Sequence, residues 1–157
     1  MNIPEPYLIQ WAISNVIALM LLFLCWKYPK SGRIGFGVIF LSAGVVNTIT
    51  SVTGPHVYLE YSQFATLEIY RSFIEGFFSR HIQLFVASIA VGQFLISLGL
   101  FYGKMLLKPA LIGGMIFSVC IIPLGFGAGM PVPVLMLLSL VVLYRKGNSN
   151  QSETVIT

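Results

Sequence analysis

The sequence predicts an all-α protein: a polytopic membrane helical bundle of five transmembrane helices, with an amphipathic exoplasmic helix between spans 2 and 3. Three observations lead there. First, 57% of the residues are hydrophobic and only 9% charged, with a mean hydropathy of +0.88. A soluble domain of this size leaves too much of its chain in water to carry such a composition. Second, the apolar residues fall in blocks near the length that crosses a hydrocarbon core of about 30 Å. Third, the charges segregate. If five helices alternate in direction, Lys27, Lys30, Arg33, Lys104, Lys108, Arg145 and Lys146 fall on one side, and Glu5, Glu60, Glu68 and Glu75 on the other. The positive-inside rule then puts the N-terminus outside and the C-terminus in the cytoplasm, in a plasma (bacterial inner) membrane. The basic pI near 9.2 is thereby a topology signal rather than a nucleic-acid footprint, and no nucleic-acid partner is expected.

The first span is expected over residues 7–26. It lacks the basic start and small-residue cleavage site of a secretory signal, and Gln10, Trp11, Trp26 and Tyr28 sit near its ends, where amphipathic side chains are favoured. A loop, Lys27 to Arg33, leads to a second span over 34–53. There Ala43, Asn47 and Ser51 recur every four residues beside Gly44 and Thr48, giving a small, polar face that belongs against other helices. The third span, 82–103, carries a seam of Ser88, Gly92, Gly99 and Gly103, with Gln93 next to it. The Gly99/Gly103 pair permits close approach of a neighbouring helix, and packing inside the monomer is the expected use. The fourth, 105–124, has Pro109 in its first turn, where a missing N–H is tolerated, and ends in Pro123 and the glycine-rich run 125–129. The fifth, 131–144, is short for a full crossing at about 1.5 Å per residue. It is kept because dropping any one span breaks the segregation of charge. One membrane domain, 1–146, is followed by a polar tail, 147–157, expected to be disordered.

Between spans 2 and 3 lies a polar stretch, residues 55–81. Wound as one helix, Tyr58 to Phe78 places Glu60, Glu68, Arg71 and Glu75 within an arc of roughly 80°. Tyr58, Tyr61, Ala65, Ile69, Phe73 and Phe77 occupy the far side, with Tyr70 and Ile74 at the edge. Glu68/Arg71 and Arg71/Glu75 stand at pairing distance on a helix. The polar exoplasmic cluster is thus His56, Glu60, Glu68, Arg71, Glu75, Arg80 and His81. It forms a solvated, salt-bridged face of a docked surface helix, or a lid over a pocket between the spans.

Little in the chain points to catalysis. No phosphate loop, Ser/His/Asp set or metal-spaced cluster appears, so neither catalytic nor metal-binding residues are expected. His56 and His81 would have to meet to hold a haem or metal. Cys25 and Cys120 lie in separate spans and approach opposite membrane faces, which suits buried free thiols. None of the five spans contains an ionisable side chain of the kind that marks an intramembrane proton site.

Several short motifs carry a family likeness. Residues 40–47 (Phe-Leu-Ser-Ala-Gly-Val-Val-Asn), Pro55 and Tyr58, Val91-Gly92-Gln93, Leu98-Gly99-Leu100 and Pro123-Leu124-Gly125 resemble the DoxX-like family of small bacterial membrane proteins, over roughly residues 33–146. The resemblance implies a four-helix core to which the first helix is an addition. It also implies kinship with quinone-linked oxidoreductase subunits. Family members often carry a basic residue near Asn47 and a glutamate near Gln93; here both are neutral amides. Three roles follow as expectations. The first is a non-catalytic membrane component, in contact with lipid, that packs with itself or with a membrane partner. The second is a quinone- or lipid-binding redox accessory using a pocket at Asn47 and Gln93. The third is a small-solute transporter or channel.

Overall fold

The computed structural model describes residues 5–153. Every element among them is helical: α1 (Glu5–Lys27), α2 (Pro29–Thr53), a 3-10 segment (Pro55–Phe64), α3 (Glu68–Phe73) running into a π turn (Ile74–Phe78), α4 (Ile82–Tyr102), α5 (Leu107–Ile121) running into a 3-10 segment (Ile122–Ala128), and α6 (Val132–Glu153). Four stretches, Leu8–Lys27, Pro29–Thr53, Ile82–Tyr102 and Leu107–Ala128, are long and apolar enough to cross a membrane. Their outward faces carry the residues a soluble protein would bury: Ile9, Ile13, Met20, Val52, Leu84, Leu95 and Ile116 are all exposed.

The long helices close into a ring in which α1 packs on α2, α2 on α4, α4 on α5, α5 on α6, and α6 back on α1. Large side chains fill its centre, with Phe36, Phe40, Leu100, Leu111 and Leu140 at most 1% exposed. The ring of Phe117 meets that of Phe40 edge-on at 5.7 Å. Small residues let the backbones approach. A Cβ on Gly99 would lie 2.6 Å from that of Ala110, and one on Gly44 2.9 Å from the Phe94 ring. Ser97 donates to the carbonyl of Gly37 at 2.8 Å, joining α4 to α2. Thr48, Ser51 and Ser118 return their hydroxyls to carbonyls of their own helices, which satisfies them where water is excluded.

Several boundaries differ from the sequence reading. The expected loop Lys27–Arg33 shrinks to Tyr28, because Pro29 starts α2 at a position where its missing N–H costs nothing; Lys30 and Arg33 therefore lie on a helix. Residues Gly147 to Glu153, expected as irregular tail, continue α6; residues 154–157 lie outside the described chain. The single amphipathic helix expected over Tyr58–Phe78 is broken at Ala65–Leu67, where Ala65 and Leu67 take extended conformations. The break has a cause: Thr66 is clipped to the carbonyl of Pro123 by its N–H at 2.8 Å and its hydroxyl at 3.1 Å. Beyond it, the wide π turn advances the apolar face. Ile74 and Phe78, expected at or off the edge of the apolar face, are buried against Ile82 and Val86, whereas Ile69, Phe73 and Phe77, expected on that face, are exposed.

The two ends of the bundle differ in charge. At one end Lys146 donates to the carbonyl of Trp26, and the guanidinium of Arg33 lies over Gly103. At the other sit Glu60, Glu68 and Glu75, on the segments that follow α2.

Candidate functional site

The sequence singles out Asn47 and Gln93 as pocket residues. The structure does bring them together, but spends them on each other: Asn47 Nδ2 donates to Gln93 Oε1 at 2.7 Å, and the Tyr58 hydroxyl donates to Asn47 Oδ1 at 2.5 Å. This chain of three side chains ties the Pro55–Phe64 segment to α2, and α2 to α4. Gln93 is buried. Burial lifts the Tyr58 phenol above its ordinary range, against a smaller opposing effect from a hydrogen bond with Thr50. Neither amide lines the cavity described next; the two are joined to each other between α2 and α4.

The cavity lies at the carboxylate end. It measures about 420 Å³ and is walled by the rings of Trp11, Tyr61, Phe64 and Phe126, with Gln10, Ser14 and Glu60 as its polar groups. Three segments build it. The N-terminal part of α1 supplies Gln10, Trp11 and Ser14, the 3-10 segment Pro55–Phe64 supplies Glu60, Tyr61 and Phe64, and the turn after α5 supplies Phe126 to Gly129.

Each wall is fixed by identifiable contacts. Trp11 Nε1 donates to the carbonyl of Met130 at 2.6 Å, and Asn15 Nδ2 donates to the carbonyls of Trp11 at 2.8 Å and Gly129 at 3.3 Å. These bonds hold the start of α1 against the glycine-rich turn. Trp11 stacks on Phe126 with ring centres 6.4 Å apart and planes 14° from parallel; Phe64 tilts on Phe126 at 5.9 Å. The glycines are required. Gly125 has φ +60° and sits where a Cβ would come 2.6 Å from the carbonyl oxygen of Phe64, and a Cβ on Gly127 would come 2.7 Å from the Tyr61 ring. Only glycine combines that φ with so close an approach. Tyr61 is pushed above the usual phenol range by burial first, then by Tyr58 and by the Glu60 carboxylate.

The expected polar cluster disperses. Glu68 pairs with Arg71 at 3.2 Å, but Arg71 turns its Nε to the carbonyl of Ser62 at 3.3 Å, and Glu75 forms no ion pair among the described residues. His81 packs on the Phe77 ring at 4.9 Å, while His56 and Arg80 are exposed. Among the described residues no group of three or more His, Cys, Asp or Glu is placed to hold a metal. Of the cluster, Glu60 alone lines the cavity.

The sequence reading missed Ser14, Asn15 and the glycine run as parts of a site. The usable signal was Trp11, Ser14 and Asn15 at i, i+3 and i+4, one face of a helix, in a span whose one other strongly polar side chain is Gln10. Compared with family models, with curated proteins and with solved structures, the chain matches none.

Proposed function

We propose that the chain is a non-catalytic integral membrane component of DoxX-like type, which crosses the membrane five times and holds an amphiphilic, lipid-class ligand at its exoplasmic mouth. The observation that carries this reading is the contrast between a filled centre and an open, aromatic-lined cavity at one end. A transporter or channel needs a continuous polar path; here Asn47, Gln93 and the hydroxyl of Ser97 are bonded to protein partners and the axis is filled with Phe and Leu.

Five crossings are supported by the fit of α6 to α1. Trp11 is bonded beside the start of α6 and Trp26 beside Lys146 near its end, so both helices rise about 22 Å over the same fifteen-residue height. The DoxX-like reading is supported by the meeting of the motifs that suggested it: Asn47, Tyr58 and Gln93 are joined in one hydrogen-bond chain, and the carbonyl of Pro123 receives Thr66. Of the small residues on these helices, Gly44, Gly99 and Gly114 are packed within the chain, whereas Gly92 meets nothing within 4 Å, so the close approaches are made inside the monomer.

The test is native mass spectrometry of protein purified in mild detergent and in nanodiscs. The reading expects a co-purified amphiphile that is lost in Gly127→Val and Ser14→Phe, both of which fill the cavity. Wild-type protein free of bound amphiphile, or variants that retain it, would overturn the reading. A bound quinone would turn it toward the redox accessory.

A further inference from the structure

We propose that the group recognised in this cavity is a substituted ammonium cation, held by Glu60 and the surrounding rings. The inference rests on the amphiphile-binding reading above and adds its chemistry. Glu60 is the one charged side chain among the described residues lining the cavity. No Lys, Arg or His nitrogen among the described residues stands within 4.0 Å of its carboxylate, whereas Glu68 has Arg71 at 3.2 Å. Among the described residues the carboxylate therefore lines the cavity without a counter-ion.

Much of the remaining wall is aromatic, beside the neutral polar groups of Gln10 and Ser14. Four rings, Trp11, Tyr61, Phe64 and Phe126, line one volume of about 420 Å³, within the usual range for small-molecule sites. Aromatic faces attract a cation through their quadrupole, more strongly once water is excluded, and quaternary ammonium groups are recognised in this way. Alkylated ammonium is also weakly hydrated, so it loses little on entering. An anionic headgroup would meet Glu60 with like charge, and a neutral one would gain no attraction from it. Val57, which lines the cavity, is exposed, as are Ile9 and Ile13, the sequence neighbours of Gln10 and Ser14, so a chain attached to the cation has apolar surface to follow toward lipid.

The same group could be the headgroup of a choline-type lipid or a free organic cation, and the experiment separates them. Trp26→Phe leaves Trp11 as the sole indole, since the chain has two tryptophans and Trp26 is 69% exposed. This protein, in phosphatidylglycerol nanodiscs, is titrated with choline, decyltrimethylammonium and the uncharged isostere 3,3-dimethylbutanol. Native mass spectrometry of the same samples measures occupancy independently of the indole. The expected result is saturable binding of the cations with at least a ~10-fold preference over the isostere, a preference that Glu60→Gln reduces by ~10-fold and Glu75→Gln leaves unchanged. In phosphatidylcholine nanodiscs, loss of the titration identifies the lipid headgroup as occupant, and an unchanged titration identifies a free cation; both support the proposal. An isostere that binds as well as choline, or a preference that survives Glu60→Gln, overturns the ammonium assignment while leaving amphiphile binding intact. Absence of saturable binding by any of the three, with no lipid retained in either nanodisc, removes both.

Discussion

Replacing Gly99 and Gly92 separately by alanine, on the same helix, isolates the packing that holds α4 to α5. At Gly99 the new Cβ would stand 2.6 Å from the Cβ of Ala110 and 2.9 Å from the carbonyl oxygen of Leu106. Carbon atoms pack comfortably at about 3.5–4.0 Å, so the helices must part by roughly 1 Å. Neither obstacle is the end of a flexible side chain. At Gly92 a Cβ meets nothing within 4 Å. Both substitutions gain the same helix propensity, up to about 1 kcal/mol, so that gain cancels in the comparison. The difference left is the overpacking cost, about 1–3 kcal/mol, with Gly99→Ala the less stable. Steric-trap or denaturant unfolding of both variants in bicelles measures it. Adding Ala110→Gly to Gly99→Ala should restore part of the loss, since the Leu106 carbonyl stays in place. A difference below about 0.5 kcal/mol, or a Gly92→Ala variant as damaged as Gly99→Ala, would refute the packing described for this pair.

The remaining predictions concern the polar chain and the cap. A double-mutant cycle on Asn47→Leu and Gln93→Leu should give a coupling near 0.6 kcal/mol and no more than about 1.7 kcal/mol, as membrane interhelical hydrogen bonds do; zero coupling would mean the 2.7 Å contact is absent in lipid. Tyr58→Phe should cost about 0.5–1.5 kcal/mol, and the same loss should vanish in an Asn47→Leu background. For Tyr61, a raised phenol pKa means that the folded protein holds its proton after the unfolded chain has released it. Its stabilising contribution is therefore complete below the ordinary tyrosine pKa near 10 and is lost as pH climbs from there toward the folded value. An ultraviolet tyrosinate titration should show a late-ionising phenol that disappears in Tyr61→Phe; a titration curve unchanged by that substitution contradicts the buried placement. Trp11→Phe removes the donor to Met130 and should loosen the glycine-rich turn by about 0.5–1.5 kcal/mol, read as faster hydrogen exchange over residues 125–131.

How far the chain could be read from its residues follows from which forces are local. Span positions and the segregation of charge depend on composition over twenty residues, and α1, α2, α4 and α5 appear close to where hydropathy put them. Gly92 and Gly99 show the limit. Spaced by two turns, they read as one seam, yet Gly99 touches Ala110 while Gly92 faces open space. The reason lies in α5: the short turn at Gly103–Leu106 presses it onto α4 at that end, and nothing in α4 itself encodes how far the contact continues. The cap was misread for the same reason. A constant helical phase over Tyr58–Phe78 fails because Thr66 bonds to Pro123, 57 residues away, and because a π turn adds a residue to one turn. Asn47 and Gln93 were recognisable as a pair of amides needing partners; that each would be the other's partner depended on the register of α2 against α4. The cavity was least legible, since its three segments lie far apart in the chain and its key contacts use backbone carbonyls.

Five crossings require the two charged ends to lie on opposite sides of one membrane. With Cys25 and Cys120 replaced by serine, single cysteines at positions 30, 60 and 145 can be probed in sealed cells with a membrane-impermeant maleimide. Glu60→Cys should be labelled from outside, whereas Lys30→Cys and Arg145→Cys should react only after the membrane is opened. Labelling of Arg145→Cys from outside would leave α6 on the wrong side and the chain with an even number of crossings. Labelling of Lys30→Cys but not Glu60→Cys in intact cells would turn the cavity to the cytoplasm and contradict the account at its root.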